Sequence, residues 1–378
     1  METLQNINLL LIWQILVIFE IILFLSYTII MYAYSKKKGY LSQNNYFPTI
    51  TLIIPSYNEE KVIKEKIENT SRLTYPGDKL KIIILDDHST DNSKSICTEA
   101  TKQYSLNIRI IENQGGKGKA RALNWIFPSL DSDITVISDA DALLKEDSLL
   151  QITKNFAESD VGGATGKIVI ISDKARLSRS QEESYRFFFD IWRSGESSIH
   201  SVSVCNGPLM SFRTDLLKKT KIDPDAYADD SDLLFKFIRS GYRVVYDPHA
   251  VVFERVPLSL KGRTVQKMKR INGLRKVYMS NLNLLGKGNF GKIIYPYALL
   301  IHIVSPPIVL ILVLIYPFII LHNQWYLAFL ILLVLPKIGE TLISFIITQL
   351  LINFSFMIPT AGSWEAVEDA RYNINQQR

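Results

Sequence analysis

Residues 134–141 read ITVISDAD, an apolar run that ends in two aspartates with a single alanine between them. Three similar runs precede it: TITLIIP at 49–55, KIIILDD at 81–87 and NIRIIEN at 107–113. A polar, amphipathic stretch separates each run from the next. Buried strands that alternate with helix-length stretches predict βαβ units, an α/β fold and a mostly parallel sheet.

Polar side chains cluster where these predicted strands end. Ligands of open α/β sheets bind outside the carboxyl ends of the strands, so these stretches are the candidate site. They are LIIPSYNEE at 52–60, IIILDDHSTDNS at 82–93, NQGGKGKARALN at 113–124 and VISDADALL at 136–144. A fifth polar stretch, ADDSD at 228–232, opens an amphipathic helix that Gly241 is expected to end.

Asp139 and Asp141 are either a metal site or ordinary polar residues in a turn. Strand alternation would point both side chains to the same side. Converging carboxylates repel each other unless a cation lies between them, and hard oxygen ligands select Mg²⁺ or Mn²⁺. These ions usually bind through one or two carboxylates plus substrate phosphates. The neighbouring glycine- and lysine-rich loop favours the metal site.

That loop combines close backbone approach with positive charge, which suits a pyrophosphate. Its members are Gly115, Gly116, Lys117, Gly118, Lys119 and Arg121. The loop matches neither GxxxxGK[ST] nor GxGxxG, so it is weak evidence by itself.

The other acids at these positions allow two interpretations each. Asp86 and Asp87 can accept a hydrogen bond from a nucleotide base or form an Asx-type turn. Glu59, in PSYNEE, fits ordinary capping of a helix start. Asp230 can cap its helix or, if partly buried near a cation-bound donor, deprotonate an acceptor hydroxyl.

Membrane-like segments flank this region. Residues 7–33 are apolar for longer than the ~20 residues that cross a bilayer. SKKK at 35–38 predicts that the α/β region after this helix is cytoplasmic. Residues 258–292 are basic and amphipathic, which is typical of an interfacial helix. Residues 293–321 are long enough to span, and 325–358 fit either one tilted span with an interfacial helix or two short spans.

A kink is expected at Pro306 and Pro307. The predicted organisation is an N-terminal transmembrane helix at 1–34, an α/β domain at 48–255, an interfacial segment at 256–292, a transmembrane region of two or three helices at 293–358 and a cytoplasmic tail at 359–378.

The composition supports a chain that lies partly in lipid. Hydrophobic residues make up 47% of the 378 residues and charged residues 21%. The net charge of +6 fits a solvated or membrane-facing surface, and no nucleic-acid-type basic tract occurs. Cys97 and Cys205 have no metal-ligand spacing and indicate a reducing compartment. The aromatic stretch YRFFFDIWRSGE at 185–196 fits either membrane-proximal packing or contact with an acceptor or lipid head groups.

Together, PSYNEE, LDDHSTDNS, GGKGKARALN, SDAD and ADDSDLLFKFIRSGYRV resemble the processive-type family 2 glycosyltransferases in order and spacing. These include hyaluronan, chitin, cellulose and poly-N-acetylglucosamine synthases. The resemblance covers about residues 48–378, because the flanking membrane helices and a tail motif like GSWEAVEDAR also belong to that family.

The resemblance implies a GT-A fold and inverting transfer from a nucleotide sugar, most often a uridine diphosphate sugar, with Mg²⁺ or Mn²⁺ as cofactor. It places donor-binding residues at Pro55, Tyr57, Glu59, Asp86, Asp87, Lys119, Asp139, Gln266, Lys269 and Arg270. Asp139 and Asp141 would hold the metal-bound diphosphate. Asp230 would take the acceptor proton while the metal and Lys119 stabilise the leaving group.

One motif departs from that family. The synthases carry Q-x-x-R-W near the membrane junction, whereas QKMKRING at 266–273 has Gln266 followed by Lys269 and Arg270. Lysine keeps a charge without bidentate geometry, and no tryptophan is present to stack under an acceptor sugar. Polysaccharide synthesis and transfer of one or few sugars to a lipid-linked acceptor therefore both stay open.

Two other classes share parts of this pattern with a glycosyltransferase. A nucleotidyltransferase also uses an aspartate pair near a Gly/Lys loop, but the acids before the 231–241 helix and the basic segment after it argue against that class. A non-catalytic scaffold has no need of five polar motifs. The expected partners are a nucleotide sugar, a saccharide or lipid-linked acceptor, membrane lipid, no nucleic acid, and a further copy of the chain. The expected location is the cell membrane, multi-pass, with the site on the cytoplasmic side.

Overall fold

The architecture comes from a computed structural model that describes residues 2–37, 46–104, 107–171, 176–224, 228–255, 259–335 and 338–355. The predicted tail at 359–378, with its motif GSWEAVEDAR, lies outside the described residues.

Strands and helices alternate through the first part of the chain. The strands are β1 Ile50–Ser56, β2 Leu80–Asp86, β3 Ile108–Glu112, β4 Ile134–Ile137, β5 Leu143–Leu144, β6 Val161–Ile171, β7 Met210–Arg213 and β8 Arg243–Arg255. The helices up to β8 are α1 Glu2–Ser35, α2 Ile63–Ser71, α3 Ser93–Gln103, α4 Lys119–Ile126, α5 Ser148–Lys154, α6 Arg176–Ile199, α7 Thr214–Leu217 and α8 Asp229–Arg239. The later helices are α9 Leu260–Ser280, α10 Tyr295–Leu299, α11 Ser305–His322, α12 Ala328–Val334 and α13 Ile338–Phe354.

The strands of the described residues form one eight-stranded sheet in the order β3-β2-β1-β4-β7-β6-β8-β5. Neighbours among β3, β2, β1 and β4 are parallel, β6 is parallel to β8, and β7 and β5 pair antiparallel with their neighbours. The prediction of a mostly parallel α/β sheet is confirmed. Ser56 pairs with Asp86 and Asp86 with Glu112, so the carboxyl ends of the first three strands coincide.

Helices cover both faces of the sheet. Ile53 faces a core shared with α4, α8 and α9, while Leu52 and Ile54 face a second core shared with α2, α3 and α5. Every residue of β1 is buried, as expected for a strand covered on both sides. The loops at the carboxyl ends are therefore the part of the sheet that remains accessible to a ligand.

Two helices are long and apolar enough to cross a membrane, Asn8–Ser35 and Phe290–His322. The second begins earlier than the 293 predicted from hydropathy. It contains π-helical turns at Phe290–Ile294 and Leu300–Val304, and Pro306 follows the second of these at the start of α11. A third candidate is the pair Gln324–Leu333 and Ile338–Phe354, which is bent by 100° at its break.

The Phe290–His322 helix is packed into the α/β domain at its amino end. Phe290 and Tyr295 are buried and form edge contacts with Phe235 of α8. Tyr295 Oη also donates a hydrogen bond to the carbonyl of Tyr278 in α9 (2.5 Å). Aromatic packing of this kind fixes the domain relative to the Phe290–His322 helix, because neither side can move without exposing large rings.

Helix α1 packs against α6 with almost no space between the backbones. A Cβ atom on Gly195 of α6 would lie 2.3 Å from the carbonyl oxygen of Met31 in α1. In the same region, buried Glu196 accepts hydrogen bonds from Tyr27 of α1 and from the Ser203 hydroxyl. Glycine is therefore what permits the apolar helix to contact the α/β domain.

We expect Gly195→Leu to destabilise the protein by about 1–3 kcal/mol, because the side chain has to push α1 away from α6. The matched control is Gly77→Leu, since no atom lies within 4 Å of a Cβ at that position. Thermal unfolding of the detergent-purified chain measures the difference. Equal unfolding temperatures for the two variants would contradict the close α1–α6 contact.

Candidate functional site

Asp139 and Asp141 lie in a turn beyond the end of β4, rather than in the strand. The N–H of Ala142 donates to the carbonyl of Asp139 (3.2 Å), which closes this turn. The strand alternation used to predict their directions therefore does not apply, and the turn sets where each carboxylate points. We call residues 138–142 the acid loop.

Lys119 links the acid loop to helix α8. Its Nζ, on the first residue of α4, lies 2.8 Å from Oδ1 of Asp139 and 3.3 Å from Oδ2 of Asp229. Burial alone would raise the pKa of Asp139, but the charge and hydrogen bond of Lys119 lower it below its usual value. Burial likewise opposes protonation of Lys119, but the two carboxylates raise its pKa.

Asp230 lies in the first turn of α8 and faces the same space as Asp139. A Cβ atom on Gly207 would lie 3.4 Å from Oδ2 of Asp230 and 3.9 Å from Oδ2 of Asp139. The other oxygen of Asp230 accepts a hydrogen bond from the N–H of Ser231 (2.6 Å). Burial, and then the charge of Asp229, raise the pKa of Asp230 to about 6. The Gly-Pro turn at 207–208 thus borders the acids.

Two buried cations, Lys66 and Arg255, donate hydrogen bonds to the acid loop. Nζ of Lys66 in α2 donates to the Ser138 hydroxyl (2.7 Å) and to the carbonyl of Ala142 (2.6 Å). Arg255, at the end of β8, donates to the carbonyl of Asp141 (2.7 Å). Burial lowers the pKa of Lys66 to about 7, and the charges of Asp139 and Asp141 oppose that shift. Both carboxylates are therefore close enough to Lys66 to influence its charge.

Lys66 and Arg255 were not among the residues predicted from the sequence. The sequence did contain a signal for Lys66, because this lysine belongs to the buried face of α2. The other buried residues of that face are Ile63, Ile67 and Thr70. A lysine at a core position of an amphipathic helix needs a partner, since burying an unpaired charge is costly. Arg255 gave no such signal, because β8 reaches the acid loop only through tertiary folding.

The two aspartates at the end of β2, Asp86 and Asp87, lie in different environments. Asp87 is fully buried and accepts hydrogen bonds from Asn113 Nδ2 (2.5 Å) and from the N–H of Gly118 (2.8 Å). Asp86 accepts one from the N–H of Ser89 (3.2 Å). Both oxygens of Asp87 thus hold the Gly/Lys loop in place, which leaves Asp86 as the better candidate for contact with a nucleotide base.

The Gly/Lys loop owes part of its composition to packing. A Cβ atom on Gly115 would lie 2.4 Å from the Cβ of Trp125 in α4. Gly118 has a φ of 120°, a backbone conformation that favours glycine. These glycines shape the loop so that Lys119 begins α4 beside the acid loop, whether or not a phosphate contacts the backbone.

The loop after β1 is tied to the loop after β2. Asn58 Oδ1 accepts from the N–H of Thr90 (2.8 Å), and the N–H of Glu59 donates to the Ser93 hydroxyl (2.7 Å). Tyr57 lies beneath Lys117, whose Nζ is 4.8 Å from the ring centroid. Pro55 is buried within β1. The polar residues of PSYNEE therefore join the neighbouring loops, and Tyr57 is the one that meets the Gly/Lys loop.

Helix α9 reaches the acids through Arg270. Its guanidinium lies 2.5 Å from Oε1 of Glu254, whose charge raises the pKa of Arg270, with Asp139 and Asp230 contributing. Gln266 and Lys269 are partly buried on α9 but do not line the cavity beside the acids. Their predicted donor-binding roles stay predictions.

A cavity of about 640 Å³ opens from the acids toward the helices that are long and apolar enough to cross a membrane. At the domain end its lining includes Lys119, Asp139, Asn206, Gly207, Asp230 and Arg270. At the other end it is lined by side chains of α1, α6 and α13, most of them apolar. The aromatic stretch at 185–196 contributes Phe188, Phe189, Trp192 and Arg193 to this lining. The site therefore continues into the region between the helices.

Residues 51–219 match the family model described as Glycosyl transferase family 2. This chain contains a family 2 glycosyltransferase domain. The chain is 27% identical over 240 residues to "Probable glycosyltransferase YdaM" of Bacillus subtilis (strain 168), in an alignment that covers 62% of this chain and 57% of that protein. It is 25% identical over 232 residues to the poly-beta-1,6-N-acetyl-D-glucosamine synthase of Staphylococcus aureus (strain COL), which covers 61% of this chain and 55% of that protein. The chain thus matches little more than half the length of either relative.

The chain is also similar to a solved structure over most of its length. This is the mannosyltransferase PcManGT from Pyrobaculum calidifontis in complex with GDP-Man and Mn²⁺, with a TM-score of 0.77 and 25% identity. The likeness covers 92% of this chain and 99% of that one. The predicted GT-A fold is confirmed.

The acid loop fits a divalent cation that a bound phosphate helps to hold. Within the described residues no group of three His, Cys, Asp or Glu side chains forms a ready metal site. Asp139 and Asp141 nevertheless offer hard oxygen donors, and Oδ2 of Asp139 faces the space beside Gly207. Mg²⁺ and Mn²⁺ are typically held by one or two carboxylates together with substrate phosphates, so two acids suffice.

We expect Lys66→Met to lower the free energy of unfolding by about 1–3 kcal/mol, because the Ala142 carbonyl loses a buried hydrogen-bond donor. Lys64→Met is the matched control, since Lys64 lies exposed on the same helix. Thermal unfolding and sugar transfer are measured for both variants. If Lys66→Met unfolded at the temperature of the control, the acid loop would not depend on this lysine.

Proposed function

We propose that this protein is an inverting, metal-dependent glycosyltransferase that moves a sugar from a nucleoside-diphosphate sugar to an acceptor bound in the cavity. The observation that supports this most is the shared space beside Gly207, faced by both Asp139 and Asp230 and bordered by Lys119. A donor held by the acid loop would present its sugar to a carboxylate on the opposite wall.

The donor diphosphate is proposed to lie between the acid loop and the start of α4. A divalent ion bound by Asp139 and Asp141 supplies charge that holds the diphosphate and stabilises it as a leaving group. Lys119 adds a second positive charge at the amino end of a helix, where anions are favoured. Arg270 supplies a third from α9, although its carboxylate partner Glu254 reduces that contribution.

The nucleotide base is proposed to lie over the ends of β1 and β2. Asp86 can accept an N–H from uracil or guanine, and Tyr57 offers a ring face at the same edge. Asp87 is committed to the Gly/Lys loop. Uridine and guanosine diphosphate sugars both satisfy this contact, so both belong in a donor panel.

Asp230 is proposed to be the general base. Acceptor attack on the anomeric carbon, opposite the leaving diphosphate, forms one bond as the bond to the diphosphate oxygen breaks, and it inverts the configuration. The hydroxyl proton passes to Asp230, whose raised pKa of about 6 makes it a better proton acceptor than an ordinary carboxylate. The neighbouring Asp229 stays paired with Lys119 and holds that lysine toward the donor.

The acceptor is the least determined substrate. Homology to the poly-beta-1,6-N-acetyl-D-glucosamine synthase supports a saccharide acceptor and a polymer product. The mostly apolar lining of the cavity, and Arg270 where the synthases carry tryptophan, support transfer of one or few sugars to a lipid-linked acceptor. We favour the lipid-linked acceptor, and product size distinguishes the two.

The proposal places the enzyme in a membrane as a multi-pass protein with its site on the cytoplasmic side. Its support is the two candidate spans and Lys36 and Lys37, which directly follow the first of them. Assembly into a homo-oligomer stays a prediction from the small number of membrane helices.

We expect Asp230→Asn to lower kcat by about 10²–10⁴-fold, because general base catalysis typically contributes that much. Full-length protein in detergent is given UDP- and GDP-sugars, Mn²⁺, and saccharide or lipid-extract acceptors, and released nucleotide and product size are read. Asp215→Asn is the control, since that side chain is 90% exposed on α7.

The pH dependence supplies a second readout for Asp230. A base must be ionised to accept a proton, so kcat/KM of the wild type should fall as the pH drops through about 6. This acidic limb should disappear from the residual activity of Asp230→Asn. Transfer by Asp230→Asn at the wild-type rate would exclude Asp230 as the base.

We expect Asp139→Asn and Asp141→Asn each to weaken donor binding in the presence of Mn²⁺ by at least ~10–100-fold. Loss of a residue that only supports a metal ligand already lowers metal affinity by that factor, and these two residues are proposed to bind the metal directly. Titration calorimetry with and without Mn²⁺ measures this. Asp131→Asn is the control, because that carboxylate is 70% exposed beyond the other end of β4. Metal-dependent affinity equal to that of the control would remove Asp139 and Asp141 from the metal site.

A further inference from the structure

The cavity beside the acids extends between helices that are apolar on their outer surfaces. Its far part is lined by Phe24 of α1, Phe188 and Trp192 of α6, Ile301, and Leu342 and Phe345 of α13. Phe24 and Ile301 belong to the two helices that are long enough to span a membrane. An apolar chain could therefore pass from the bilayer interior into this space without crossing water.

Arg193 places a cation on this apolar wall. Its Nε is buried and has no hydrogen-bond partner. Its guanidinium lies 5.2 Å from the ring centroid of Phe189 and 5.9 Å from that of Tyr246. The charge of Arg193 opposes the rise that burial causes in the pKa of Glu196, but the hydrogen bonds to that carboxylate come from Tyr27 and Ser203.

A guanidinium in such surroundings is a strong candidate for an anion site. Removing its charge from water is costly unless an opposite charge compensates it. The planar fork of N–H donors matches phosphate oxygens better than an ammonium group does. Lys267 and Arg270 line the same cavity and add positive charge on the side of α9. Glu20 of α1, which accepts a hydrogen bond from Ser305, would repel an anion from its own part of the lining.

We propose that the acceptor is a phosphate-bearing membrane lipid, with its phosphate at Arg193 and its apolar chain among the aromatic side chains of α1, α6 and α13. This rests on the proposed function, because it names the acceptor class for the same site. Arg193 thus positions the acceptor in the same cavity that Asp230 lines. The combination of charge and apolar surface distinguishes this occupant from a free sugar or a soluble anion.

Two kinds of lipid share this chemistry. In one, a hydroxyl of the head group attacks the anomeric carbon and gives its proton to Asp230. In the other, an ionised phosphate oxygen attacks and brings no proton. In both, the new bond to the anomeric carbon forms as the bond to the donor diphosphate breaks, and the diphosphate leaves with the electron pair. The first product is a glycoside, and the second is a glycosyl phosphate that mild acid cleaves.

The test uses full-length protein in mild detergent with farnesyl phosphate and farnesol as matched probes, which differ only in the phosphate. We expect farnesyl phosphate to bind about tenfold or more tightly than farnesol. Arg193→Gln should remove that difference, and Arg193→Lys should restore part of it. Arg239→Gln, at an exposed position on α8, should leave it unchanged.

Affinity for the nucleotide sugar in Mn²⁺ is measured on the same preparations. Normal donor affinity in Arg193→Gln with loss of farnesyl phosphate binding supports the acceptor assignment. The assignment would be overturned if the wild type bound farnesyl phosphate no more tightly than farnesol, or if Arg193→Gln kept the wild-type preference, with donor affinity intact in both proteins. Failure of every variant and of the wild type to bind any donor would instead contradict the proposed function. Mild-acid treatment of the product formed with a lipid extract then identifies which oxygen was glycosylated.

Discussion

Four carboxylates meet at one end of the sheet, and their mutual repulsion is the constraint on which the site depends. Asp139 and Asp141 come from the acid loop, and Asp229 and Asp230 from the start of α8. The cations close to them are Lys119, Lys66 and Arg270, while Arg255 pairs with Glu65 and donates to the carbonyl of Asp141. Because each cation comes from a different element, the acids can stay together only when the whole sheet is assembled.

The compensation is uneven, and this unevenness separates the proposed roles. Asp139 is in contact with Lys119, so its pKa falls and it stays ionised, as a metal ligand must. Asp230 is buried beside another acid and shares Lys119 only at longer range, so its pKa rises to about 6. Contact with Lys119 for Asp139, and burial beside Asp229 for Asp230, therefore give the two aspartates opposite tendencies, one to hold charge and one to accept a proton.

Several residues in the predicted site stretches hold the loops in place. Asp87 fixes the Gly/Lys loop, Gly115 makes room for Trp125, and Asn58 connects the loops after β1 and β2. These side chains still serve the site, because they set where Lys119, Tyr57 and the acid loop lie. The two candidate spans are also held against the domain, through Gly195 against Met31 and through the aromatic contacts of Tyr295. The cavity is bounded by both units and exists because they do not move apart.

Sequence alone was enough to predict the alternation of strands and helices, the parallel part of the sheet and the two helices long and apolar enough to cross a membrane, and to select the acids of the candidate site. These features are local, because apolar periodicity and polar residues at strand ends are visible along the chain. Lys66 was readable in the same way, as a charge in an apolar stripe. The tertiary structure alone decided that Asp139 shares its space with Asp230, that Arg255 and Arg270 reach the acids, and that Arg193 lines the cavity. Those contacts join residues that are far apart in the chain. The energy of bringing charges together depends on the distance between them and on their burial, and neither can be calculated from the spacing of residues along the sequence.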